Sequence, residues 1–487
     1  MDATVERFLK SSTRDRLTMV QDASLHMSLQ TYFGQKAFDD YRQLAMNVDT
    51  GHLAITHPAN LIFVPGVICS YLKSKTKGGI WWIDVRTLQR LNDLRIQPDG
   101  TSDADPKNAI VACAIDSSYE GFLTAALDRA DFGHDVFPYD WRKAIAASTG
   151  PLHKFITDTY ADNSGMPVHL VAHSMGGLVV RATLMAYPML WSKVGRIVFI
   201  GTPHYGSQAI GSYLKNHLWG YDELALLGQF LNRETFRSMW GVLSLLPAPC
   251  GVYPGTRPND PDPWSESESP YRHPCANFDM YTADSWQLGL SDAATENLQT
   301  VLDAAANMHR SLNDWHQSLM QEQRDRMLVI AGVGYQTLFR LEYNLRFWGH
   351  WEKMRKVLSR EPGNRHREGD ARVPVASAVL ENVMVRYVRG IHRGLPNIPA
   401  VLNDVFHWLN DEELTLSDTP EGALSQHLAP EDNDSVAPYL DGTAKAQPFS
   451  DDSGLWGLDV HDAERLQQLQ AELNAGRLPE FQHARLL

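Results

Sequence analysis

The stretch VHLVAHSMGGLVVR, Val168 to Arg181, sets one serine, Ser174, between an apolar strand-forming run and two glycines that open a helical pattern. A serine on a sharp strand-to-helix turn presents its hydroxyl above the sheet, where it can attack a carbonyl carbon. Small residues must flank such a turn, and Ala172 and Gly176 supply them. A hydroxyl is a weak nucleophile and needs a base that is itself oriented by a carboxylate. In chains with this turn the acid and then the histidine follow the serine, each after a late strand. EGDARVPVASA offers Asp370 in a turn-rich loop, and VMVRYVRGIHRGLP offers His392 directly after an apolar run. Glu368 is the rival acid, and His366 and His407 are the rival bases. His173 adjoins Ser174, but neighbouring side chains on a tight turn point apart, so its expected role is packing. The oxyanion of a tetrahedral intermediate needs N–H donors. Met175, the residue after the serine, supplies one. Val67, in the loop FVPGV where Gly66 lets the chain turn, supplies the other.

These groups need a rigid support. LIFVPG from Leu61, HDVFPY from His134, VHLVA from Val168, RIVFIG from Arg196, MLVIAGVG from Met327 and VMVRYVRG from Val383 read as strands. The early ones alternate with helical patterns such as YEGFLTAALDRA, which predicts an α/β fold with a mostly parallel central sheet flanked by helices. The expected organisation is a helical extension over residues 1–58 and a first core segment over 59–207. A helical cap or lid follows over 208–326, then a second core segment over 327–410 and an acidic tail with a terminal helix over 411–487. An insertion as long as 208–326 between core strands is where a lid is expected. Residues 1–58 carry Val5, Phe8 and Leu9 at helical spacing and are expected to cover the core.

With 43% apolar and 21% charged residues among 487, the chain can bury a large core. A net charge of -14 argues against a nucleic-acid partner. The four cysteines, Cys69, Cys113, Cys250 and Cys275, read as ordinary thiols, with a Cys250–Cys275 bridge as the alternative. MDATVERFLK lacks the layout of a secretory signal, and no apolar run is long enough to span a bilayer. The default expectation is a cytoplasmic protein, with signal-independent export left open. Asp99, Asp103 and Asp105 fail the spacing of a calcium loop, so neither a metal nor another cofactor is assigned.

Read in order, FVPGV, WWIDVRTL, FPYDWR, HLVAHSMGGLVVR, FIGTPHYGS, SLLPAP, AGVGYQT, GDARVP and GIHRGLP resemble the lecithin:cholesterol acyltransferase-like branch of the α/β-hydrolases. The resemblance spans about residues 61 to 400. It implies an α/β-hydrolase fold, a triad of Ser174, Asp370 and His392, and oxyanion donors at Val67 and Met175. The acid loop reads GDARVP where GDGTVP is typical of the family, which bears on local loop geometry. The implied activity is hydrolysis of carboxylic esters of lipids or other hydrophobic acids through an acyl-enzyme. Transfer of the acyl group to an alcohol is one alternative, and a catalytically silent binding module is another. Trp81, Trp82 and Trp240, with Leu243, Leu245 and Leu246, are read as substrate-binding groups at a pocket mouth or as packing between cap and core. A hydrophobic ester is the expected partner, with room for transient contact with a membrane surface; the oligomeric state is not legible.

Overall fold

In the computed structural model of the chain, the six apolar runs pair into one parallel sheet. The structure describes residues 3–33, 59–215, 231–258, 278–345 and 351–425, apart from short gaps within those ranges, and a few isolated positions beyond them. The strands are β1 (Ala59–Val64), β5 (Phe132–Val136), β6 (Val168–His173), β7 (Val194–Ile200), β8 (Met327–Val333) and β13 (Met384–Arg389). They lie in the order β13-β8-β7-β6-β1-β5, every pair parallel. The central strands β6 and β8 are buried along their whole length, and the edge strand β13 is mostly half-exposed. That gradient explains the unbroken apolar runs in the middle of the sheet, since both faces there meet helices.

Side chains alternate across the sheet with a period of two residues. Ile62 and Val64 of β1 join one core with Leu170 and Ala172 of β6 and Ile197 and Phe199 of β7. Leu61 and Phe63, Val171, and Val198 and Ile200 join a second core on the opposite face. Helices α1 (Ala3–Lys10), α2 (Thr13–Gln21) and α3 (His26–Phe33) contribute Val5, Phe8, Met19 and Leu29 to that second core. The first core is covered by α4 (Met175–Ala186) and α5 (Asp292–Ser318), the latter capped at its start by the Ser291 hydroxyl. Among the described residues no helix is long and apolar enough to cross a membrane.

Two antiparallel additions were not foreseen. β2 (Ser70–Ser74), β3 (Ile80–Trp82) and β4 (Ile110–Ile115) form a three-stranded sheet in the order β3-β2-β4. Five residues separate it from β1, so the loop leaving β1 is pinned at both ends. β9 (Leu338–Leu345) and β10 (Trp351–Leu358) make a hairpin after β8, followed by the two-residue pair β11 (Arg360–Glu361) and β12 (Asn364–Arg365). Cys69 and Cys113 are in no disulfide, whereas Cys250 is disulfide-bonded, which corrects the reading of four ordinary thiols. Its partner lies outside the described residues, as do Leu9's side chain and the acidic tail beyond residue 425 with its expected terminal helix.

Candidate active site

Ser174 joins β6 to α4 with φ 53° and ψ −128°, a backbone state that costs a non-glycine residue about 1–3 kcal/mol. Its surroundings enforce it. The Ser174 N–H donates to the Ile200 carbonyl at 3.0 Å, and the Gly177 N–H donates to the Ser174 carbonyl at 3.0 Å. A Cβ on Gly176 would strike the backbone carbonyls of Val64 and Pro65, and one on Gly177 would strike the Thr202 side chain. The two glycines therefore let the helix start against the ends of β1 and β7.

The loops after β12 and β13 bring Asp370 and His392 to this turn. His392 Nε2 lies 2.9 Å from Ser174 Oγ, and Nδ1 lies 2.7 Å from Asp370 Oδ2. Asp370 is 1% exposed, and its other oxygen, Oδ1, accepts the N–H groups of Arg372 at 2.9 Å and Val373 at 2.6 Å. The His392 N–H donates to the Asp370 carbonyl at 2.8 Å, so the two loops are also joined through their backbones. Gly332 and Gly201 leave the room: a Cβ on Gly332 would come within 2.6 Å of Asp370 Cβ, and one on Gly201 within 3.3 Å of His392 Nδ1. The GTPHYGS segment braces the acid loop, as Ser207 Oγ donates to the Arg372 carbonyl at 2.6 Å. Glu368 and His366, the rivals from the sequence, lie outside the described residues. His407 sits on the helix Pro399–Leu409 with Nδ1 2.9 Å from the Glu413 carbonyl.

The loop after β1 is held by four aromatic side chains. Tyr139 Oη donates to the Pro65 carbonyl at 3.0 Å, and Tyr119 Oη accepts the Gly66 N–H at 2.8 Å. Indole N–H groups donate from Trp82 to the Ile68 carbonyl at 2.7 Å and from Trp141 to the Ser70 carbonyl at 3.1 Å. Ile68 is held at φ 61°. Among the described residues neither the Val67 N–H nor the Met175 N–H meets a protein acceptor. Two fixed, unspent donors beside a nucleophile are what an oxyanion requires. The FPYDWR segment thus supplies two of the four clamps, and Arg142 anchors it with ion pairs to Asp140 at 2.6 Å and Asp103 at 2.9 Å. The aspartate-rich stretch at Asp99–Asp105 is part of that anchor.

A cavity of about 160 Å³ opens over Ser174 and His392. Its walls are apolar, formed among others by Trp82, Trp141, Ile210, Met239, Val242 and Leu245, with Arg372 and Arg393 on its lining as well. The three tryptophans read as substrate-binding divide. Trp82 lines the cavity. Trp81 does not: it is buried elsewhere, its indole donating to the Gly78 carbonyl at 3.1 Å with Arg90 over its ring. Trp240 does not either, because its ring packs on Gly100. Leu243 and Leu246 are core residues, and of the leucines named with them only Leu245 reaches the wall. Sequence reasoning missed Tyr119 and Ile68, for which no local signal exists, and gave Trp141 no role of its own although its motif was noted.

The family model described as lecithin:cholesterol acyltransferase matches residues 134–330. Comparison with curated protein sequences gives no significant match. Among solved structures, a chain of the Tle4–Tli4 complex is similar over 73% of this chain and 97% of its own, at 15% identity and a TM-score of 0.47. The mature form of the Bacillus licheniformis lipase BlEst2 is similar over 69% of this chain and 86% of its own, at 14% identity and a TM-score of 0.29. Phospholipase PlaB from Legionella pneumophila is similar over 75% of this chain and 62% of its own, at 12% identity and a TM-score of 0.30. Its parallel sheet flanked by helices, with large helical insertions, is an α/β-hydrolase fold, and within it residues 134–330 are similar to the lecithin:cholesterol acyltransferase family.

Proposed function

We propose that the protein is a serine hydrolase that cleaves carboxylic esters of hydrophobic acids, lipids included. One observation carries this reading: a connected Ser174–His392–Asp370 hydrogen-bond relay at the floor of an apolar cavity. Ser174 Oγ attacks the ester carbonyl while His392 Nε2 takes its proton. The oxyanion is held by the N–H groups of Val67 and Met175. His392 then passes the proton to the departing alkoxide, leaving an acyl group on Ser174. Water, deprotonated by the same nitrogen, releases the acid. Asp370 fixes the imidazole with hydrogen on Nδ1 and stabilises its cation. The cavity wall accepts the acyl chain, and Trp82 belongs to it.

The matched family's description favours a second fate for the same intermediate, namely transfer to an alcohol. Product analysis with and without added alcohol separates the two, since exclusive release of free acid removes transfer. The primary test is Ser174→Ala on a short p-nitrophenyl ester, for which a loss of roughly 10³-fold or more in turnover is expected. Activity within a few-fold of the unaltered protein would overturn the reading. A silent binding module predicts no reaction with a fluorophosphonate.

A further inference from the structure

The relay leaves unused two buried groups that flank Ser174, Tyr119 and His173. His173 Nε2 lies 3.0 Å from the His392 carbonyl oxygen, and Nδ1 lies 2.8 Å from Tyr119 Oη. A carbonyl oxygen can only accept, so Nε2 carries the hydrogen. A neutral imidazole then has a bare Nδ1, to which the Tyr119 hydroxyl donates. The phenol oxygen in turn accepts the Gly66 N–H. Burial holds His173 well below the ordinary histidine range, which keeps it neutral. Each group has one role, and the chain runs one way from Gly66 through Tyr119 and His173 to the His392 carbonyl.

The ends of that chain matter. Gly66 precedes Val67, a proposed oxyanion donor, and the His392 carbonyl belongs to the proposed base. Their strands, β1 and β13, lie four places apart in the sheet, roughly 19 Å at about 4.8 Å per strand. A Cβ on Gly66 would lie 3.0 Å from Ser174 Cβ and 3.3 Å from His173 Nδ1, so the chain passes directly behind the serine. We propose that Tyr119 and His173 are positioning residues that tie the oxyanion loop to the His392 loop behind Ser174, keeping donors and base aligned on one hydroxyl. This inference rests on the assignment of Ser174 above. Its importance follows from the steep cost of misplacement, since about 1 Å at a reacting group costs roughly 10²-fold in rate.

The test compares the unaltered protein with Tyr119→Phe, His173→Gln, His173→Leu and the double variant Tyr119→Phe/His173→Leu. Tyr119→Phe removes one hydroxyl and should lower kcat about tenfold, the rate equivalent of roughly 1.4 kcal/mol, with KM within about twofold. His173→Gln keeps an acceptor toward Tyr119 and a donor toward the His392 carbonyl, and should recover most of what His173→Leu loses. The double variant should be no slower than His173→Leu, because both changes break one chain. Nitrogen NMR of the unaltered protein should find the His173 hydrogen on Nε2. Unchanged kcat in Tyr119→Phe, equal loss in the Gln and Leu variants, multiplicative losses in the double variant, or hydrogen on Nδ1 would each overturn the proposal. The NMR result decides the matter even where a variant does not fold. If Ser174→Ala abolishes activity while these results fail, only the tie is wrong. If Ser174→Ala stays active, the function itself is wrong.

Discussion

Replacing Asp370 by asparagine should silence the relay without disturbing the fold, and the reason lies in the carboxylate's two oxygens. Oδ1 accepts two backbone N–H groups, from Arg372 and Val373, while Oδ2 faces His392 Nδ1. An asparagine must keep its carbonyl oxygen toward the two N–H donors. Its NH2 group then faces Nδ1 and donates to it, which moves the ring hydrogen to Nε2 and points it at Ser174. In that state the imidazole cannot take the serine's proton. The competent orientation would set the NH2 group against two N–H donors. Two such buried losses at about 1–3 kcal/mol each leave it at roughly one part in thirty to one part in twenty-five thousand. The expected fall in kcat for Asp370→Asn is of that order, with KM and the melting temperature close to those of the unaltered protein. Initial rates on a p-nitrophenyl ester, paired with thermal melts, measure it. Activity within threefold, in a protein that melts normally, would refute the reasoning about the carboxylate.

Three other outcomes follow from the packing. Gly176→Ala places a Cβ 2.6 Å from the Pro65 carbonyl and against that of Val64, both backbone, so it should cost at least about 1–3 kcal/mol and most of the activity; an unshifted melting temperature would contradict this. Val242→Phe fills the cavity wall and should depress hydrolysis of long acyl esters relative to acetate esters by at least about tenfold; an unchanged chain-length profile would place the acyl group elsewhere. His309 and His169 are held down to about 4 by burial, below the ~6.5 of an unfolded histidine. Their contribution to stability is complete above pH ~6.5 and is lost as pH falls toward 4, because the unfolded chain takes up the protons first. The melting temperature should therefore drop through that window, less steeply in His309→Gln; a flat profile would contradict it.

The parallel sheet was legible because its strands are buried on both faces, which leaves unbroken apolar runs such as MLVIAGV in β8. The antiparallel strand β2, SYLKS, mixes polarity and pairs with β4 some forty residues on, so neither periodicity nor a short turn betrays it. Ser174 and His392 each sit directly after a strand legible as an apolar run, whereas Asp370 lies beyond β12, past hairpins that no periodicity announced, and only chain order placed it downstream of β8. The tryptophans could not be separated by proximity in sequence. Adjacent residues on a strand face opposite sides, so at most one of Trp81 and Trp82 could reach the cavity, and register alone decides which. His173 was read as a packing residue, and its partnership with Tyr119, joining positions fifty-four residues apart, leaves no trace in either segment.

The central claim is that Ser174 Oγ is the nucleophile, activated by His392. Incubation with a fluorophosphonate, followed by intact-mass and peptide mass spectrometry, tests it most directly. One adduct per chain, located on Ser174 and greatly slowed in His392→Ala, is the predicted result. An adduct on another residue, or labelling of Ser174 at an unchanged rate without the imidazole, would contradict it.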